Sequence, residues 1–135
     1  MKVLVLIASV IASSAIAQDA TTGATLFADR CAVCHGAQAA GNGPMAPVLT
    51  IQPTDLTQLA ARNDGVFPTA RVAARIDGRD PLVAHGSPMW VFGEFFDAQG
   101  PDIALQLPAG ERIMVSGPIA DLVAWIETIQ VHSSE

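Results

Sequence analysis

Two cysteines and a histidine stand within five residues of this 135-residue chain, as Cys31-Ala32-Val33-Cys34-His35. Each of these side chains can ligate a metal, and each thiol can also form a covalent bond through sulfur. Four chemistries compete for the pattern. A disulfide suits an exported protein. A thiol-redox pair expects a thioredoxin-like βαβ setting, and no strand-like run precedes Cys31 once the leader described below is set aside. A closed zinc site wants four ligands, and only three candidates lie here. The histidine decides the matter, because C-x-x-C-H is the covalent haem attachment motif. Two cysteines three apart share one face of a helical turn and can reach two vinyl groups as thioethers. His35, next in line, can turn its imidazole onto the iron.

The rest of the composition narrows the setting. The formal charge is −6, which argues against nucleic acid, because phosphate backbones are bound by clustered Lys and Arg. Met1–Ala17 reads MKVLVLIASVIASSAIA, one Lys, an apolar run and a closing Ala15-Ile16-Ala17. That is the pattern of a secretory signal peptide cleaved near Ala17. Residues 3–17 would make a helix of about 22 Å, short of the roughly 30 Å hydrocarbon core of a bilayer. Cleavage removes the only lysine, and six Arg against 13 Asp and Glu leave the mature chain at −7. About 118 residues remain, enough for one small domain at 18–135 with little surplus core. Seven aromatics, five Phe and two Trp, serve that core, and there is no Tyr. A staple or a cofactor is expected to supply the missing centre.

The elements that must position the motif can be read in outline. Gly23–Arg30 predicts a helix running into Cys31, with Thr22 as its N-cap. Gly117-Pro118 opens a last helix in which Ile119, Leu122, Val123, Ile126 and Ile129 recur at spacings of three and four, with Gln130 at its end. Between them, residues 54–62 predict a helix after Pro53 that ends at the turn cluster Asn63-Asp64-Gly65. Residues 68–77 predict another, ending at Gly78. Residues 36–53 are rich in Gly, Ala and Pro and suit an irregular loop. Residues 93–115 are the least readable, although Ile103, Leu105 and Leu107 alternate before Pro108-Ala109-Gly110, with Ile113-Met114-Val115 beyond. That pattern suggests a short hairpin at 102–115.

Over nearly its whole mature length the chain resembles a class I c-type cytochrome. The landmarks are Gly23, Phe27, the motif Cys31 to His35 with Gly36, Pro47-Val48-Leu49, a loop carrying Met89, and a C-terminal helix carrying Trp125. The resemblance implies an all-α, cytochrome c-like fold around one haem c, covalently held by Cys31 and Cys34. It implies single-electron transfer in the bacterial periplasm. It also implies that the first and last helices cross closely, Gly23 facing the aromatic Trp125, and that the Pro47 carbonyl accepts the second N–H of His35.

His35 supplies one axial bond, and Met/His ligation raises the potential of an electron-transfer haem. Met45, Met89 and Met114 compete for the other side. Met45 has a Gly/Pro neighbourhood close to His35 and reads as loop or core, and Met114 reads as core packing. Met89 sits in Gly86-Ser87-Pro88-Met89-Trp90-Val91-Phe92-Gly93, where Pro88 stiffens the approach and Trp90 and Phe92 offer apolar cover. It resembles the family's methionine loop, with Pro88 before the methionine rather than after it. His85 is the rival ligand, since neutral imidazole binds haem iron well. His132 reads as part of a polar tail. Arg62, Arg71 and Arg75 are candidates for the haem propionates, each with a solvated surface charge as the simpler role.

The expected function is a periplasmic electron carrier with His35 and Met89 as axial ligands, and not an enzyme by itself. Its redox partners are expected to present a basic docking surface to the −7 chain. Two alternatives stay open: the cytochrome subunit of a larger dehydrogenase or oxidase complex, and a gas-binding or sensing haem protein with a displaceable Met89.

Overall fold

The computed structural model describes residues 18–80 and 89–131. The leader, His85, Pro88 and His132 therefore lie outside the described residues. Helices supply most of the regular structure among the described residues. In chain order they are α1 (Ala20–Arg30), α2 (Ala32–His35), α3 (Thr69–Asp77), α4 (Gly93–Asp97) and α5 (Gly117–Thr128). Three short 3-10 turns, Ala46–Val48, Leu56–Gln58 and Ala61–Asn63, punctuate the long loop between α2 and α3. A two-stranded antiparallel sheet of β1 (Asp102–Gln106) and β2 (Arg112–Ser116) precedes α5.

α1 and α5 form the main helix pair, and small residues let them approach. A Cβ at Gly23 would run into the carbonyl oxygen of Asp121 and lie 2.9 Å from the Trp125 Cβ. One turn on, the Phe27 and Trp125 rings meet at 4.3 Å between centroids. Phe27 is 2% exposed, and the apolar stripe Ile119, Leu122, Val123 and Ile126 of α5 is buried throughout. The expected N-cap at Thr22 is corrected to Asp19, whose carboxylate accepts from the Thr21 and Thr22 amides. The same residue ties the two helices together: its N–H donates to Asp121 Oδ1 at 2.7 Å.

α3 ends as expected at Gly78, which takes the left-handed φ of 95°. The helix expected at 54–62 is not formed. Two 3-10 turns stand there because the buried Gln130 side chain intervenes in the helical ladder. Its Nε2 donates to the Leu56 carbonyl at 2.7 Å, and its Oε1 accepts the Ala60 N–H at 2.9 Å. Those two groups would pair with each other in an α-helix.

The hairpin is present where expected, and its register sets Ile103 opposite Val115 and Leu105 opposite Ile113. Strand alternation sends Leu105 and Val115 inward and Met114 outward, so Met114 is 51% exposed and the core role expected for it is corrected. The fold is thus helical, with the one small hairpin expected at 102–115.

Candidate haem-attachment site

α1 carries the motif into place. The Cys31 N–H continues the helical ladder onto the Phe27 carbonyl at 2.9 Å, and Cys34 and His35 both return to the Cys31 carbonyl. Cys31 and Cys34 are free and half-buried, one turn apart. So short a helix leaves its last carbonyls without partners of their own. The following loop supplies them: Met45 donates to Val33, Gly43 to Cys34 and Gly41 to His35, at 2.8–3.0 Å. Only glycine fits at 43, where a Cβ would stand 2.6 Å from the backbone of Val33 and Cys34.

His35 is 9% exposed. Its Nδ1 lies 2.9 Å from the Thr54 carbonyl oxygen and donates to it. That bond fixes the tautomer and leaves the Nε2 lone pair free for a metal. Burial pushes the imidazole below its usual pKa, and the Thr54 bond opposes this in part. The shift favours the neutral ring, the form that ligates iron. Burial also pushes the Cys31 thiol up to about 11, with the neighbouring Cys34 adding to the effect.

Pro47 does not fill the role expected of it. The loop turns outward through its 3-10 turn, leaving Pro47 exposed. The segment after Pro53 comes back instead, held by Leu56 N–H on the Ala39 carbonyl at 2.8 Å and by the close approach of Gly41 to Pro53. This return brings Thr54 to His35.

Met89 is half-buried and packs on the same apolar cluster as Cys31, Ala32, Leu56 and Leu59. Met45 is 43% exposed in the loop. Trp90 stands 82% exposed, and Phe92 takes the inward position, stacked on Phe96 at 5.7 Å. The reason lies in the backbone, where the Phe92 N–H bonds the Ile76 carbonyl and turns that residue toward the core. Of the arginines, Arg75 pairs with Asp80 at 3.5 Å, while Arg62 and Arg71 are exposed. Two surface grooves, one between the starts of α1 and α5 and one beside the start of α3, contain none of the motif residues.

Sequence reading missed Thr54 and Gln130. The bonds that matter here carry no local signal: Thr54 lies 19 residues from His35, and Gln130 lies 70 and 74 residues from Ala60 and Leu56.

The motif's donors suit haem c: a buried imidazole with its second nitrogen occupied, and two thiols one turn apart. Neither a curated protein nor a solved structure matches the chain. A family model described as Cytochrome c matches residues 20–130, from the first residue of α1 to Gln130. The chain belongs to the cytochrome c family, whose members bind haem c covalently through the motif that Cys31, Cys34 and His35 supply here.

Proposed function

We propose that this haem c electron carrier uses His35 and Met89 as its two axial ligands and acts in the periplasm after removal of residues 1–17. When bound, haem c supplies a ferric/ferrous couple whose potential the axial ligands set. Cys31 and Cys34 tether it. His35 presents a neutral Nε2 in an orientation held by Thr54. Met89 offers a soft sulfur from an apolar border that excludes water, which favours the ferrous state. With both axial positions filled there is no place on the iron for a substrate, so the chain transfers electrons without catalysing a reaction of its own.

The observation that carries the reading is the buried His35 with Nδ1 committed to Thr54. Met89 is supported by its packing on the cluster that Cys31 also borders. The test is visible and near-infrared spectroscopy of the purified protein. Met89→Ala is expected to abolish the sulfur-to-iron band of the ferric form, and a band that survives the substitution would rule Met89 out.

A carrier docks weakly and briefly, over a small patch. Residues 31–54 contain no charged side chain, and Val33, Met45, Val48 and Ile51 are exposed among them. Contact beside the motif is therefore apolar, while the net negative charge steers a basic partner from a distance. Its electron-transfer rate with such a partner falls as salt rises. Among the described residues no helix is long and apolar enough to cross a membrane.

A further inference from the structure

The segment that carries Met89 is fastened to the end of a helix three residues further on. The Phe92 N–H donates to the Ile76 carbonyl at 2.8 Å. Gly93 lies against Asp77: a Cβ there would run into the Asp77 carbonyl oxygen and stand 2.6 Å from its Oδ1. Gly78 lies under Val91, whose Cβ and Cγ1 would each be 2.9 Å from an added Cβ. Asp77 is itself paired with Arg79 and its side chain is only 6% exposed. Behind these contacts, Ala73 and Ile76 anchor α3 in the core at 0% and 5% exposure. Three residues of chain span at most about 10 Å, so a fixed Phe92 limits how far Met89 can move from α3.

We propose that the C-terminal turn of α3 is a clamp that positions the Met89 sulfur, with Ile76, Gly78 and Gly93 as positioning residues that set how readily another ligand displaces it. The inference rests on the reading of Met89 as axial ligand. Displacement requires Met89 to withdraw, and a segment held at Phe92 withdraws more readily once that hydrogen bond and the Val91 packing are broken. A methyl group added at Gly78 or Gly93 pushes residues 91–93 off α3 and carries Met89 with them.

The test is an imidazole titration of the ferric holoprotein, read on the sulfur-to-iron band. Gly78→Ala and Gly93→Ala are each expected to lower the half-displacing imidazole concentration by roughly tenfold, the size of effect that strain and overpacking produce. Their Phe92 amides are expected to exchange hydrogen faster than in the wild type. Gly110 is the matched control for Gly78, with φ of 92° against 95° but nothing within 4 Å of an added Cβ. Gly110→Ala thus carries similar backbone strain and is expected to leave the imidazole midpoint unchanged. Val91→Ala, which removes packing without strain, is expected to lower the midpoint by a smaller factor and keeps the test open should the glycine variants not fold. Unchanged midpoints in the folded variants at 78, 91 and 93 would overturn the clamp while a band lost in Met89→Ala leaves the ligand standing. A band retained in Met89→Ala would overturn both.

Discussion

The side-chain carbonyl of Gln130 accepts the backbone N–H of Ala60 at 2.9 Å, joining residues 70 apart in the chain. The same amide group donates to the carbonyls of Leu56 and Ile126, both at 2.7 Å. One 7%-exposed side chain thus satisfies three backbone groups and fastens the turns after Thr54 to the end of α5. Val131 adds a third tie between these turns and the end of α5, its N–H on the Thr57 carbonyl. The support of His35 therefore runs from α5 through Gln130 and Leu56 to the neighbouring Thr54.

Gln130→Ala leaves the Ala60 N–H and the Leu56 carbonyl buried without this partner. A buried unsatisfied group costs about 1–3 kcal/mol, so a loss of about 2–4 kcal/mol is expected in urea denaturation of the holoprotein. The His35 ring resonances should shift in the same variant, because the turn that presents Thr54 loosens.

Gly23→Ala is expected to cost about 1–3 kcal/mol or more through overpacking, since the new methyl meets the rigid Asp121 carbonyl rather than a mobile side chain. Trp125→Ala acts on the same crossing by the opposite route, leaving a void beside Phe27 at about 3 kcal/mol. Urea midpoints of the two variants, measured separately, check both values.

Cys31→Ser with Cys34→Ser is expected to abolish haem that survives denaturation and acid extraction, and each single substitution leaves one thioether. Haem staining of a denaturing gel reads the outcome. Covalent staining that persisted in the double variant would contradict the attachment assigned to these two sulfurs.

Asp19 sets an acid limit on the helix pair. The Thr21 amide, chiefly, with the Thr22 hydroxyl and amide, holds its carboxyl below the ordinary aspartate value of 3.8. A depressed folded-state pKa gives stability that is fully present above the unfolded value and is lost as pH falls through the folded one. The thermal midpoint is therefore expected to drop on acidification below about pH 3.8, and Asp19→Asn should flatten that part of the profile. Asp19→Ala should lower the midpoint at neutral pH as well, because it removes the cap of α1.

Short-range patterns carried much of this protein in its sequence. The spacing of Cys31, Cys34 and His35 is a property of one helical turn, so it specifies haem attachment wherever that turn lies. Gly117-Pro118 and Gly78 mark helix ends through backbone conformations that depend on few neighbours. The alternation around Leu105 and Val115 marks a hairpin, because strand periodicity is local too. What the tertiary structure decided is which distant groups meet. Thr54 rather than Pro47 faces His35 because the loop folds back after Pro53, and no count of residues encodes that return. Residues 54–62 satisfy helical propensity in isolation, yet Gln130 takes the Leu56 carbonyl and the Ala60 N–H that the helix would use. Phe92 rather than Trp90 turns inward because its N–H is claimed by Ile76. In each case a hydrogen bond to a distant backbone group outranks a local preference worth less, and only the folded chain brings its two ends together.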